Sequence, residues 1–490
     1  MKQLFVYLFF CLSQLLPAQP KLEIRAVWLT VNYDLDWPTK PFQNERDIEV
    51  QKSELNRILD RLQETHINMV FLQTRIRGDV IYPSKIEPRS EYIKSAYATA
   101  DYDPLQYAVE ACHQRGIECH AWFVVYPMGT EARNKRSNRT VTELNRNHLL
   151  KTFKKNVYLD PGDPQTNVYI LSLIKEIVLN YDIDGIHLDY IRYPEASAGF
   201  PDNNTFLRYG YGKDKDDWRR ENINRLVYAV YDTVKALKPW VQISSSVVGM
   251  YKDIPGNNRS HWTAYYSVFQ DPVDWLEKGK QDFIVPMNYY SGALFYPFVQ
   301  DWVSRNSGRF IVAGLGAFQM DQKESAWEPS VIYDQISFSR KAKTQGNAFF
   351  RAAYLTDNSK GFVEELHSNL YRYPATLPPL TWLSRTIPDS PPYISARANG
   401  SLLCLNWDKT PEKDNRLPVF YNLYRSETFP VDTQNPKNLI AVRLTDNQFQ
   451  LPIDNRIESG YYYVVTGFDR YHNESDCSKP VYFVTGDFEK

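Results

Sequence analysis

The sequence predicts an α/β protein: a (β/α)8 barrel followed by an all-β sandwich. Three observations carry this. Eight short apolar runs alternate with amphipathic stretches between Glu23 and Tyr373. Long segments gather where strands end, while the segments entering strands stay short. A Pro-rich stretch then separates this pattern from short, regularly spaced β-rich runs.

The eight runs are Ile24–Leu29, Met69–Thr74, Glu118–Val125, Gly185–Tyr190, Val241–Val247, Phe283–Met287, Phe310–Ala313 and Ala348–Tyr354. They are near-continuously apolar, as parallel strands covered on both faces must be. Helices are expected at Glu45–Thr65, Pro104–Arg115, Thr166–Tyr181, Trp218–Leu237 and Ser330–Thr344. Asp103-Pro104 supplies an N-cap with Pro at the first helical position, and Gly116 stands where a left-handed C-cap belongs. Eight such units are the arithmetic of a TIM barrel, with a domain over 23–373. The segments after strands three, four and five are long: Tyr126–Gln165, Pro194–Asp217 and Gly249–Asp271. Insertions therefore sit on the face where barrel enzymes build their sites.

Residues 374–392 hold Pro374, Pro378, Pro379, Pro388, Pro391 and Pro392, which reads as a semi-rigid linker. Over 393–487, strands are expected at Leu402–Trp407, Val419–Tyr424, Gln448–Leu451, Tyr461–Asp469 and Val481–Val484. The early Trp and late Tyr-rich strand resemble a fibronectin type III sandwich. No catalytic constellation stands out in this part, which reads as an accessory module.

Residues 1–18 read as a secretory signal: Lys2 gives the charge, Leu4 to Leu16 the apolar core, and cleavage is expected after Ala18. The apolar run is short for a membrane span. A lipoprotein anchor at Cys11 is disfavoured by the bulky Phe9 and Phe10 before it. Processing would leave an extracytoplasmic protein with Cys112, Cys119, Cys404 and Cys477, too few for a disulfide framework. The formal net charge is −1, and the single basic cluster, Arg133 to Arg139, reads as a solvated loop. No nucleic-acid partner is expected.

The most informative stretch is Ile183-Asp184-Gly185-Ile186-His187-Leu188-Asp189-Tyr190-Ile191-Arg192-Tyr193-Pro194. Successive strand residues face opposite ways, so His187 and Asp189 share a face. A carboxylate ending a parallel strand lies where barrel enzymes place catalytic groups. Other strand ends add Arg75, Asp79, Trp122, Asn288, Tyr289 and Asp357. The chain shows no Gly-rich phosphate cradle, no Gly-x-Ser-x-Gly elbow and no metal-ligand spacing, so no cofactor or metal is implied. Glycoside hydrolysis fits what remains: it commonly uses an acid and a second carboxylate that acts as base or nucleophile. Asp189 is the first candidate, kept ionised by Arg192 or His187. The partner acid is left among Asp36, Asp79, Glu131, Asp321 and Asp357, with Asp357 and Asp79 nearest their strands. His187, Arg192, Tyr193, Arg75, Asn288 and Tyr289 are expected to bind sugar hydroxyls or tune Asp189, and Trp122 and Trp37 to stack on sugar rings.

Several ordered motifs resemble the glycosyl hydrolase-like 10 family. They are Arg25-Ala26-Val27-Trp28-Leu29-Thr30 with Leu35-Asp36-Trp37-Pro38, Asn68 to Tyr82 with Tyr82-Pro83-Ser84, Ala121-Trp122-Phe123, Asp184 to Pro194, and Val285-Pro286-Met287-Asn288-Tyr289-Tyr290. The resemblance covers roughly Glu23 to Tyr373. It implies a barrel glycosidase acting on an oligosaccharide or polysaccharide, since the family includes bacterial hydrolases of peptidoglycan strands lacking stem peptides. Some relatives carry a second acid directly after the strand-four Asp, where this chain has Tyr190. Two alternatives stand beside the hydrolase: a non-catalytic glycan-binding protein on a degenerate barrel, and a surface-assembly scaffold working through the β module.

Overall fold

The computed structural model describes residues 19–134, 139–255, 262–409, 419–453 and 460–484. The expected signal segment, 1–18, and residues 135–138 of the basic cluster lie outside them.

Eight parallel strands close a barrel: β1 (Ile24–Leu29), β2 (Met69–Arg75), β3 (Glu118–Val124), β4 (Gly185–Asp189), β5 (Gln242–Val248), β6 (Phe283–Met287), β7 (Phe310–Leu315) and β8 (Gly346–Phe350). Each pairs with its sequence neighbours, and β1 pairs with β8 to complete the ring. The expected eighth strand was set too late: Gly346 already pairs with Ile24, and Ala353–Thr356 is a helical turn. The outer ring holds α1 (Glu45–Glu64), α2 (Pro104–His113), α3 (Pro164–Asn180), α4 (Lys215–Leu237), α5 (Phe295–Ser304) and α6 (Pro329–Ala342), with shorter helical turns between. α3 begins earlier than expected because Asp163-Pro164 repeats the signal of Asp103-Pro104: the Asp163 side chain caps the Gln165 amide.

Two apolar layers hold the barrel. One lies between strands and helices. The other fills the interior with Trp28, Phe71, Trp122, Val124, Phe283 and Val285 among others. The long segment after β3 carries a small antiparallel sheet of its own, ordered Pro127–Thr130, Asn156–Leu159, Leu150–Phe153.

The C-terminal part is built of two antiparallel sheets. Strands β9 (Ile394–Asn399), β10 (Leu402–Trp407) and β13 (Gln448–Pro452) form one. In the other, β11 (Phe420–Ser426) pairs with β12 (Leu439–Leu444) and β14 (Tyr461–Phe468), and β14 also pairs with β15 (Glu474–Cys477) and β16 (Val481–Phe483). Leu403, Leu405, Trp407, Tyr421, Leu423 and Val465 fill the space between. All four described cysteines are free, and Cys112 and Cys119 are buried.

This module docks under the barrel, where strands begin. Arg443 donates to Glu118 at the start of β3 (2.6 Å) and to Asp184 just before β4 (2.9 Å). His472 lies 2.8 Å from the same Glu118 oxygen, and Gln242 donates to the other (2.9 Å). His113 of α2 contacts Asp184 at 2.8 Å. The connecting segment takes part as well. Thr376 exchanges backbone hydrogen bonds with Lys21 and Glu23, and Leu377 joins the interior layer of the barrel.

Candidate functional site

β4 runs beside β3 in a register that sets Trp122 against His187 and Val124 against Asp189. His187 and Asp189 thus both enter the barrel, one layer apart. The His187 ring is fully buried. It stacks on Phe71 at 3.9 Å, and Trp28 Nε1 donates to its Nε2 (3.1 Å). Indole N–H only donates, so Nε2 accepts and the proton sits on Nδ1, which donates to Ser244 Oγ at 2.8 Å. Burial, joined by nearby His120, holds its pKa well below 6.5. His187 is a neutral pillar below the site floor, and it does not help ionise Asp189.

Asp189 ends β4 and is 6 % exposed. Trp122 Nε1 donates to its Oδ2 (3.1 Å) and the Tyr190 amide to its Oδ1 (2.7 Å). Both oxygens accept N–H groups, an arrangement suited to the ionised form. Burial pushes the carboxyl upward from its ordinary 3.8. Arg192, the Tyr190 amide and Trp122 pull it back without cancelling the rise. The expectation that Arg192 keeps Asp189 ionised therefore holds in direction only, because desolvation is the larger effect. Tyr190 sits at φ 50°, a left-handed conformation costly for a bulky side chain, and this turn aims its amide at the carboxylate.

Above β4 lies a cavity of about 330 Å³ lined by Arg77, Phe153, Lys154, Asn156, Tyr158, Tyr190, Arg192 and Glu195 among others. The small sheet after β3 supplies one wall. Arg192 lies between the rings of Tyr190 (4.7 Å) and Trp262 (5.1 Å). Tyr289 belongs to this end too: Asp189 and Tyr190 add to the burial that raises its phenol far above 10.

The other expected residues stand elsewhere. Arg75 is fully buried, forked onto Glu87 (2.8 and 2.6 Å) and bonded to the Val125 carbonyl (2.9 Å). Trp37 is fully buried and donates to the Gln51 carbonyl. Tyr193 packs between Phe200 and Phe269 with its hydroxyl near Asn222. Asn288 is bonded to the Gly249 carbonyl (2.9 Å), pinning the ends of β5 and β6. Trp122 orients Asp189 and is 4 % exposed, so it offers no open stacking face.

Among the carboxyl candidates, Asp36 is bonded to Thr30, the Ala353 amide and Arg351. Asp79 is paired with Arg133 (2.8 Å) and accepts the Arg77 amide. Asp357 is exposed. Its neighbours Thr356 and Asn358 share a hollow with Arg61, Glu64 and His66, at the far end of α1 from the mouth. Neither Asp79 nor Asp357 lines the cavity above Asp189. Glu195 does, and sequence reasoning passed over it. Its signal was adjacency: it directly follows the strand-four motif, in the turn that lifts the chain onto the rim. Trp262 was missed because nothing local marks a loop Trp that meets Arg192 only through folding.

Comparison with known proteins gives this geometry a lineage. The sequence profile described as "Glycosyl hydrolase-like 10" matches residues 23–312. The chain is 31% identical over 494 residues to glycosyl hydrolase YngK of Bacillus subtilis, covering 94% of each. It is 31% identical over 295 residues to glycosyl hydrolase DigH of Escherichia coli K12, covering 56% of this chain and 66% of that one. Among solved structures it is similar to alpha-L-fucosidase isoenzyme 2 from Paenibacillus thiaminolyticus, with TM-score 0.48, 15% identity, and coverage of 72% of this chain and 49% of that one. With a profile spanning more than half the chain and a relative aligned nearly end to end, this protein belongs to the glycosyl hydrolase-like 10 family.

Proposed function

We propose that the protein is an extracytoplasmic glycoside hydrolase acting on a bacterial glycan, with peptidoglycan strands lacking stem peptides as substrate and Asp189 as its catalytic carboxylate. The observation that supports this best is the setting of Asp189. It ends β4, accepts one N–H on each oxygen, and lies beside a cavity rimmed by aromatic, cationic and amide groups. In this reading Asp189 serves as base or nucleophile at the anomeric carbon, and Glu195 protonates the leaving oxygen. Tyr289, Tyr190 and Arg192 bind sugar hydroxyls or steady the carboxylate, and Trp262 and Tyr158 offer faces to the rings. The names of the aligned relatives support cleavage of a glycosyl bond. The extracytoplasmic location rests on the signal-like residues 1–18.

One observation favours the non-catalytic reading. Asp189 is bonded to Trp122 and the Tyr190 amide, and among the described residues no second carboxyl is hydrogen-bonded to it. Asp189→Asn and Glu195→Gln decide between the two. For the hydrolase, each lowers turnover of peptide-free glycan strands by about 10²–10⁴-fold while binding persists. Wild-type protein that binds the strands and releases no reducing ends would leave a glycan-binding protein.

A further inference from the structure

Three cations line the cavity above Asp189, and among the described residues none of them is in a salt bridge. Arg77 Nη1 donates to the Tyr33 hydroxyl at 2.9 Å, with its guanidinium 5.4 Å from that ring. Lys154 lies 5.5 Å from the Phe153 ring. Arg192 is held between Tyr190 and Trp262, and its Nε is buried without a hydrogen-bond partner. One carboxylate, Glu195, shares the lining, so the cavity carries a positive excess. Elsewhere buried arginines are matched to acids: Arg75 to Glu87, Arg219 to Asp202, Arg443 to Glu118 and Asp184. The half-buried Arg77 and Arg192 find no such acid, and the exposed Lys154 adds a third charge to the same lining.

Aromatic faces fix a guanidinium without using its N–H groups, since stacking engages the plane and leaves the edge donors free. A stacked Arg is thus a preformed fork, and its best complement is a carboxylate, taken by two parallel hydrogen bonds. A neutral sugar hydroxyl would leave the charge of this cavity uncompensated.

We propose that this cavity is a subsite for an anionic sugar substituent, a carboxylate carried on the glycan next to the bond cleaved at Asp189, with Arg192 as the fork and Arg77 and Lys154 as supporting charges. Tyr190 then has a second task beyond presenting its amide to Asp189, because its ring forms one jaw of the clamp. The subsite rests on the hydrolase reading for its place beside the cleaved bond, but its binding chemistry is separable from turnover.

The test compares two soluble oligomers with the full-length protein: a peptide-free peptidoglycan glycan oligomer, and the same oligomer with its lactyl carboxylates reduced to alcohols. Wild type should prefer the carboxylate form by about tenfold or more in kcat/KM, and the preference should shrink between low and high salt. Arg192→Met and Arg77→Met should each cut that ratio severalfold. Arg192→Lys should restore only part of it, because a point charge lacks the fork. Calorimetric binding of both oligomers to Asp189→Asn separates the two readings. An Arg192-dependent binding preference in Asp189→Asn upholds the subsite whatever the turnover, and the same preference in wild-type protein that releases no reducing ends sinks the hydrolase. Equal turnover of both oligomers, unchanged by the arginine variants, overturns the subsite and leaves the hydrolase standing.

Discussion

The barrel buries charge at both ends, and the two ends handle it in opposite ways. Beneath the strands, Glu118 receives Arg443, His472, His120 and Gln242, while Asp184 receives Arg443, His113 and the Cys119 amide. Burial alone would raise both acids, yet the cations around them pull both below their ordinary values. Above the strands, Asp189 has two N–H donors and the field of one arginine, and burial prevails. A saturated network locks one arrangement in place, whereas an under-compensated carboxyl retains chemical potential for a reaction. The buried acids that scaffold and the buried acid proposed to act differ in their partners rather than in their depth.

The contrast is broken most forcefully from below. Arg443→Met strands Glu118 and Asp184 against a neutral side chain, and should cost about 3–5 kcal/mol of stability in urea unfolding. Activity per folded molecule should be retained, and a loss near zero would mean that the module is not held by this network. At the mouth, Trp122→Phe keeps the ring and deletes the donor to Asp189. That hydrogen bond to a charged group is worth about 1.5–3 kcal/mol, so kcat should fall roughly 10–100-fold. A donor favours the ionised form, so its loss raises the Asp189 pKa further. The acid limb of the pH–rate profile should then move to higher pH than in the wild type. An unmoved limb would remove Asp189 from the rate-determining titration.

The smallest effect belongs to His113. Burial draws its imidazole down, but the Asp184 carboxylate outweighs that and holds the pKa above 6.5. A raised cationic pKa stabilises the folded state fully below 6.5, and that contribution is lost as pH rises through the folded-state value. His113→Gln should therefore cost about 1 kcal/mol in acid and progressively less at higher pH. A pH-independent difference would show that the ring is neutral throughout.

Much of the barrel could be read from the chain, because apolar runs, Asp-Pro caps and short entering turns are local signals. Ile24–Leu29 and Phe283–Met287 match to the residue. In the module, Leu439–Leu444 and Glu474–Cys477 escaped notice, since these strands gain their partners only through pairing. The site was half legible. Asp189, Arg192 and Tyr289 meet at the mouth, as strand ends must. Arg75, Trp37, Tyr193 and Asn288 are equally close to strand ends in sequence but turn inward, because each finds a buried partner that no sequence pattern displays. Glu195 and Trp262 show the converse: they ride on excursions whose route over the mouth is decided by tertiary packing.

Leu377 has a consequence for where the first domain ends. The innermost layer of the barrel is completed by a residue that lies after the eighth strand, beneath strands that begin with Ile24. A chain cut just after that strand could close its ring yet would leave an apolar void at the floor. The approach to the second module is therefore part of the barrel's own packing, quite apart from the charges that join the two parts.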